Sequence, residues 1–235
     1  MDLIPLQYGP RVRAIPAQLA GKLREPVSGL IHFIGVLMSA MAMVILLDSC
    51  TNVFNLLHVI SSISFGFGMV VIYSASTLYH WANSTKEGLK ILRRLDQISI
   101  FIGIGGTYTP LCLIPLRGAV GWGLFLFVWG VAVFGIKRKS SGVEDPEWIT
   151  TTVYLVLGWL VVMALPLLSR TLSAGALFWL FGGGVFYTVG AVIDVMRRPN
   201  PRPGTFGYHE IFHVLVLLGS ICHFWLVYRY LLPMD

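Results

Sequence analysis

Seven stretches of this chain are long and apolar enough to form helices that cross a lipid bilayer, and no other feature limits its fold so strongly. A spanning helix needs about 20 mostly apolar residues. The predicted spans cover residues 27–47, 53–80, 96–115, 119–136, 148–168, 174–196 and 208–232. The alternation typical of outer-membrane strands is not found in them. The sequence therefore predicts an all-α integral membrane protein, a bundle of seven transmembrane helices.

Composition favours a membrane protein over a soluble one. Hydrophobic residues make up 56% of the 235 residues and charged residues only 12%, whereas soluble domains carry about 25% charged residues.

The three cysteines are too few for a disulfide scaffold. We expect Cys50, Cys112 and Cys222 to be buried free thiols, and the alternative is a Cys50–Cys112 disulfide at the outer face.

Lysine and arginine residues are distributed unevenly between the two ends of the predicted spans. Fourteen lie in the N-terminal segment and in the second, fourth and sixth connections, whereas three lie on the other side. Cytoplasmic loops carry the excess of positive charge, so we expect the N-terminus inside and the C-terminus outside. The expected segments are a cytoplasmic stretch, 1–26, the membrane domain, 27–232, and a short external tail, 233–235. This bias explains the net charge of +6 without a nucleic-acid partner.

A small group of ionisable side chains falls inside the predicted spans, where such residues are costly and indicate functional sites. Most of them are expected near the cytoplasmic face: His32, His80, Asp96, Asp194, His209, Glu210 and His213. His58 and His223 lie elsewhere, and we expect them to form interhelical hydrogen bonds. Asp194 precedes Arg197 and Arg198 by one helical turn, which predicts a local ion pair.

Three of these histidines are placed as metal ligands would be. His209 and His213 are four residues apart, so both rings project from one helical face. His80 can supply a third nitrogen, and three protein ligands with one water form a catalytic zinc site. We expect Asp96 to orient that water or to accept its proton. Ser76 lies one turn before His80 and can support the site through a hydrogen bond.

A different hypothesis comes from the letters of residues 209–213, which read H-E-x-x-H. In soluble metalloproteases this pattern provides two zinc ligands and a glutamate general base, which would be Glu210 here. The chain would then be a membrane-embedded metalloprotease, although nothing else in it resembles the third, carboxylate-bearing region expected of such enzymes. For His32, the choice between membership of the metal site and an interhelical hydrogen bond stays open.

Four stretches together resemble the haemolysin III family, the bacterial branch of the progestin and adipoQ receptor superfamily. They are EPVSGLIHFIG at 25–35, SASTLYH at 74–80, RRLDQISIFIGIGGTYTP at 93–110 and GYHEIFHVLVLLGSICHFW at 207–225. The resemblance implies a seven-helix bundle with a cytoplasmic N-terminus and a zinc ion near the cytoplasmic side.

The motifs of that family match particular residues of this chain. Its Ser-x-x-x-His pattern corresponds to Ser76 and His80, its helix 3 aspartate to Asp96, and its His-x-x-x-His pair to His209 and His213. In related receptors the residue at the position of Glu210 can be glutamine, which cannot act as a carboxylate base. The resemblance therefore moves the acid–base role towards Asp96.

The resemblance also implies a function, because eukaryotic relatives are described as receptors with ceramidase activity. We expect a zinc-dependent hydrolase of lipid amides in the bacterial plasma membrane, acting on membrane lipids in lipid and energetic homeostasis. The main alternative is a non-enzymatic, zinc-stabilised sensor of the membrane. A transporter and a pore-forming haemolysin are less favoured. A retinal-binding pump is excluded, because all five Lys residues are predicted in terminal or loop segments.

Small residues on the third predicted span indicate a close helix contact. Ser99, Gly103 and Thr107 follow one another at intervals of four residues, with Gly106 beside them. Small residues allow helix backbones to approach closely in a membrane. We predict that Gly103→Leu disrupts folding more than Gly123→Leu on the fourth span.

Overall fold

The described residues of this computed structural model, 23–51 and 55–234, are helical along most of their length. They form α1 (Pro26–Ser49), α2 (Leu56–Trp81), α3 (Lys86–Leu113), α4 (Ala119–Ser140), α5 (Glu147–Trp159), α6 (Leu165–Thr171), α7 (Ala174–Met196) and α8 (Tyr208–Leu226). A 3₁₀ segment, Leu160–Ala164, joins α5 to α6, and a π-helical turn, Val227–Leu231, extends α8. The predicted all-α class is confirmed.

Within the described residues, six helical units are long and apolar enough to cross a membrane. They are α1, α2, α4, the unit of α5 and α6, α7, and α8 with its π-helical turn. Large apolar side chains point outwards from them, with Phe134 exposed by 68% and Met163 by 79%. Such a surface is suited to lipid rather than to water. The chain is therefore a multi-pass, all-helical membrane protein.

The remaining predicted span lies in α3, which is longer and more polar than we expected. This helix has 28 residues and begins at Lys86, because the Thr85 hydroxyl accepts a hydrogen bond of 3.1 Å from the N–H of Gly88 and caps it there. Lys86 and Lys90, expected in a loop, lie in its first turns, and Lys137 and Lys139 likewise lie in the last turn of α4. Hydropathy detects only the apolar part of a helix, so it missed these charged turns.

The helices pack in a ring that brings three helix ends together. α2 packs against α1 and α3, and α8 packs against α7 and α1. α5 contacts α3 and α7 and thereby closes the ring, while α4 packs against α3. The beginning of α1, the end of α2 and the beginning of α8 consequently meet at one end of the bundle.

The contact between α2 and α3 depends on small residues, as we predicted from the sequence. A Cβ atom added at Gly106 would lie 2.6 Å from the carbonyl oxygen of Ser64 on α2. At Gly103 it would overlap the side chain of Ile72, whereas at Gly123 nothing lies within 4 Å. Glycine therefore sets the distance between these two helices.

Tyr108 stabilises the 3₁₀ interruption of the fifth spanning unit. Pro166 follows this segment and has no N–H to continue the helical hydrogen bonds. The Tyr108 hydroxyl shares its one proton between the carbonyl oxygens of Leu157 and Gly158, each at 2.9 Å, and accepts a hydrogen bond from the N–H of Val161 at 2.7 Å. In transporters, the free backbone groups of a broken helix can bind the transported ion. Here the Tyr108 hydroxyl already forms hydrogen bonds with the backbone groups of the interruption.

Candidate metal centre

Three imidazole rings converge where α2 ends and α8 begins. His80 lies in the last turn of α2, and His209 and His213 lie one turn apart at the start of α8. Each ring offers one ligand atom, and these atoms all lie within 4.8 Å of one another. His80 is exposed by only 2% and His213 by 1%, whereas His209 is partly exposed. The sequence predicted this set, and the structure brings its members together.

The Nδ1 atom of each ring donates a hydrogen bond to an oxygen atom outside the cluster. His80 donates to the Glu25 carboxylate at 2.5 Å, and His209 donates to the Asp194 carboxylate at 2.9 Å. His213 donates to the backbone carbonyl of Ser28 at 3.3 Å. These bonds place the ring proton on Nδ1 and leave Nε2 available as a ligand, as outer acceptors do for metal-binding histidines.

The distance between the two rings on α8 fits a shared metal ion. The Nε2 atoms of His209 and His213 are 3.1 Å apart. With both protons on Nδ1, two lone pairs face each other, and they repel unless a cation lies between them. Tetrahedral zinc with Zn–N bonds of about 2.0–2.1 Å separates neighbouring nitrogen ligands by about 3.3 Å. The three histidines could therefore hold a metal ion, and imidazole ligands suit a borderline-soft divalent one.

Glu25 lies just before α1 and carries negative charge next to this cluster. Burial raises the pKa of its carboxyl group, but the hydrogen bond from His80 and the charge of Arg24 outweigh burial and lower the pKa. The N–H of Glu25 also donates to the carbonyl oxygen of His80 at 2.9 Å. Arg24 lies over the ring of Tyr79, 4.4 Å from its centroid. The segment before α1 is thus attached to the end of α2.

Asp96 lies beside the three histidines without belonging to the ligand set. Its carboxylate has the Ser76 hydroxyl as a hydrogen-bond partner and is close enough to His80 and His209 for electrostatic interaction. Ser76 is buried one turn before His80 on α2. The structure therefore brings together the aspartate, the serine and the histidines that we selected from the sequence.

Glu210, the expected base of a metalloprotease, is hydrogen-bonded through both carboxylate oxygens. One oxygen accepts from the Ser28 hydroxyl at 2.7 Å, and the other accepts from the N–H of Gly207 at 2.7 Å. The second bond caps α8, since Glu210 is the third residue of that helix. This arrangement links α8 to α1 and argues against a role of Glu210 as a general base.

His32 contacts the cluster by stacking. Its ring lies parallel to that of His213, with 3.7 Å between centroids and 10° between planes, and its other neighbour is the ring of Tyr73. Among the described residues, neither ring nitrogen of His32 has a hydrogen-bond partner. His32 therefore supports the ring of His213 and does not form the interhelical hydrogen bond that was its alternative role.

The other intramembrane histidines and the cysteines lie apart from this cluster. The Nε2 atom of His58 donates to the carbonyl oxygen of Met234 at 3.0 Å, and that of His223 donates to Leu180 on α7 at 3.2 Å. The predicted interhelical hydrogen bond is confirmed for His223, whereas His58 bonds to the segment after the last helical turn and not to another helix. Cys50, Cys112 and Cys222 are buried and free, so no Cys50–Cys112 disulfide forms.

Three residues that contact the histidine cluster were not predicted to do so. Glu25 and Ser28 occur in the first motif, but helical spacing gave no reason to connect them with residues 55 and 185 positions away. Asp194 was predicted to pair with Arg197 and Arg198, and its contact with His209 was not foreseen. Only the shared depth of Asp194 and His209 near the cytoplasmic face could have indicated it.

Comparison with known proteins shows the family to which this chain belongs. The family model described as "Haemolysin-III related" matches residues 21–224. The chain is 35% identical to the "Hemolysin-3 homolog" of Bacillus subtilis over 88% of its own length and 93% of that protein. It is 33% identical to the "Hemolysin-3" of Bacillus cereus, over 89% and 92% of the two chains. A shorter match, 44% identical, covers 20% of this chain and 16% of an "ADIPOR-like receptor" of Saccharomyces cerevisiae. The chain therefore belongs to the haemolysin III family, within the progestin and adipoQ receptor superfamily.

Proposed function

We propose that this protein is a zinc-dependent hydrolase of lipid amides that acts in the lipid and energetic homeostasis of the bacterial plasma membrane. The main support is the convergence of three imidazoles beside a carboxylate, Asp96, that is not one of the ligands. Structural zinc sites usually have four protein ligands, whereas catalytic sites have three and keep one position open. Among the described residues, no fourth histidine, cysteine or carboxylate joins the group.

In this proposal His80, His209 and His213 hold the zinc ion. Bound zinc would lower the pKa of a coordinated water to about 7 and polarise the carbonyl group of a substrate. Asp96 would accept the proton of the attacking water and pass it to the amine as the C–N bond breaks. The Ser76 hydroxyl, a hydrogen-bond partner of the Asp96 carboxylate, would orient it for both transfers. The products are a fatty acid and an amine, so the atoms of water and amide are all accounted for.

A lipid substrate is supported by the location of the site. The cluster lies among helices whose outward surfaces are apolar, and two of its three histidines are buried. A molecule dissolved in the membrane would therefore approach it more readily than a soluble one. The choice of an amide follows from the resemblance to superfamily members with ceramidase activity.

The test is turnover of a defined substrate by purified protein. Zinc-loaded wild type, given ceramides and related lipid amides, should release fatty acid, and Asp96→Asn should reduce the rate by about 10–100-fold. Asp48→Asn, at the exposed opposite end of α1, is the matched control and should keep the wild-type rate. If zinc-loaded wild type releases no fatty acid from any lipid amide, the hydrolase proposal is wrong.

A non-enzymatic, zinc-stabilised membrane sensor is the second candidate. Its support is that the ligands join α2 to α8, while Glu25 and Ser28 attach α1 to the same cluster. A metal ion there would stabilise the contacts among three helices. This candidate requires zinc binding and metal-dependent stability without turnover, so the same assay separates it from the hydrolase.

For the topology, we propose seven spans with the N-terminus inside and the C-terminus outside. The 14-to-3 division of Lys and Arg residues supports the orientation. With 28 residues, α3 is long enough to cross as the third span. Its second half is buried, so it need not present an apolar surface to lipid. A reporter fused to the C-terminus should work only if it is active outside the cytoplasm, and activity of a cytoplasm-only reporter there would contradict this topology.

A further inference from the structure

A cleft between α4 and α5 lies away from the metal centre. The two helices are consecutive, but α5 packs on α3 and α7 and barely contacts α4. The space between them has a volume of about 310 Å³. Residues that line it include Phe101, Phe134, Gly135, Lys139, Thr150 and Val153.

The walls of this cleft are apolar. Phe101, on α3, is buried at its base, and its ring lies directly on the backbone of Gly135, where any Cβ atom would overlap it. Phe134 and Val153 flank the opening with exposed side chains. These surfaces suit a hydrocarbon chain that enters sideways from the membrane.

The other end of the cleft is polar and carries a surplus of positive charge. Lys139 is only 4% exposed, and its Nζ donates to the Thr150 hydroxyl at 3.0 Å and lies 3.4 Å from the Asp145 carboxylate. Arg138 donates to both oxygens of the same carboxylate, at 3.2 and 2.6 Å. Two cations thus share one anion, which leaves one positive charge in excess at this end of the cleft.

We propose that the cleft binds an anionic phospholipid of the membrane. Its acyl chain would lie against Phe101, Phe134 and Val153, and its phosphate would meet the positive charge of Arg138 and Lys139. Basic pockets between spanning helices on the cytoplasmic side are suited to anionic headgroups. The end of α4 belongs to the side of the bundle that carries most of the Lys and Arg residues. This binding is independent of the metal centre and of the proposed hydrolase activity.

The experiment compares lipids that differ only in their headgroup. Full-length protein in detergent receives phosphatidylglycerol or phosphatidylcholine with identical acyl chains, and thermal unfolding is followed during each titration. We expect phosphatidylglycerol to raise the unfolding temperature at a concentration about five-fold lower than phosphatidylcholine does. Soluble glycerol phosphate, used as a third ligand, should have no effect at these concentrations. Equal effects of the two lipids, or an effect of glycerol phosphate equal to that of phosphatidylglycerol, would overturn the proposal.

Two variants locate the effect in the cleft. Val153→Trp should fill the opening and remove the stabilisation by phosphatidylglycerol, whereas Val156→Trp, at a more exposed position outside the cleft on the same helix, should keep it. Arg138→Gln removes the surplus charge, because Lys139 and Asp145 then balance, and should abolish the five-fold preference. Because the Arg138 side chain is exposed, Arg138→Gln still tests the proposal if Val153→Trp does not fold. A preference that persists in Arg138→Gln would place the lipid elsewhere.

Discussion

The carboxylate of Glu25 accepts a hydrogen bond of 2.5 Å from the Nδ1 atom of His80, so the residue before α1 orients a candidate metal ligand at the end of α2. The Nδ1 atom of His209 likewise donates to the Asp194 carboxylate, and that of His213 donates to the Ser28 carbonyl oxygen. Every ring of the cluster therefore has a hydrogen-bond acceptor outside the cluster. Such partners set the tautomer and the orientation of metal-binding histidines. Each carboxylate should therefore affect metal affinity without touching the metal.

Replacing Glu25 tests this relationship. Glu25→Ala should weaken zinc binding by about 10–100-fold, the usual effect of losing an outer partner of a ligand. Glu25→Asp, which keeps the charge, should recover part of the affinity. Competition with a chromophoric chelator measures the dissociation constants, with Asp48→Asn as the control. Wild-type affinity in Glu25→Ala would show that the contact does not position His80.

Glu210→Gln tests whether Glu210, the base expected of a metalloprotease, takes part in the hydrolysis. Because the carboxylate of Glu210 caps α8 and binds Ser28, this variant should bind zinc like the wild type and lose about 1–3 kcal/mol of stability at most. Its rate of lipid amide hydrolysis should stay close to that of the wild type. Complete loss of hydrolysis in a folded, zinc-loaded Glu210→Gln protein would identify Glu210 as the base instead.

The close contact of α2 with α3 gives a prediction about stability. Gly106→Ala places a methyl group against the Ser64 carbonyl, a backbone atom that cannot move aside easily. Such overpacking costs about 1–3 kcal/mol. Gly123→Ala is the matched control, since no atom lies within 4 Å of an added Cβ there. Equal unfolding temperatures of the two variants in detergent would contradict the packing described here.

Tyr108 gives a second prediction about stability, at the 3₁₀ interruption. Tyr108→Phe leaves the Val161 N–H and two carbonyl oxygens without their hydroxyl partner. A buried polar group without a partner costs about 1–3 kcal/mol. Thermal unfolding should show this loss, whereas Tyr228→Phe, at a more exposed position, should change little. A Tyr108→Phe variant as stable as Tyr228→Phe would mean that other groups form hydrogen bonds with the backbone of the 3₁₀ segment.

Most helices could be predicted because lipid requires long apolar segments, and this requirement is visible in the sequence. The predicted span 174–196 coincides with α7, and 208–232 ends one residue beyond the π-helical turn. The beginning of α3 was the exception, since its first turns, before the predicted span 96–115, are charged. The 3₁₀ interruption was also missed, because its stabilising partner, Tyr108, lies on another helix.

The histidine cluster was predicted as far as local spacing and shared depth could indicate it. The i, i+4 pair on α8 and the expected depth of His80 and Asp96 were sufficient to select them. The outer acceptors were missed because they depend on how α1 and α7 pack, which local spacing does not determine. For Glu210, the H-E-x-x-H motif indicated a general base, whereas the structure shows a carboxylate that caps α8.

Zinc content of the purified protein tests the central claim most directly. Wild type should contain about one zinc ion per chain, because three imidazoles with outer acceptors form a complete catalytic ligand set. His80→Ala and His213→Ala should each lose most of the metal, whereas Asp96→Asn should retain it. Wild-type protein without zinc, or histidine variants with undiminished zinc, would show that these residues do not form the metal centre.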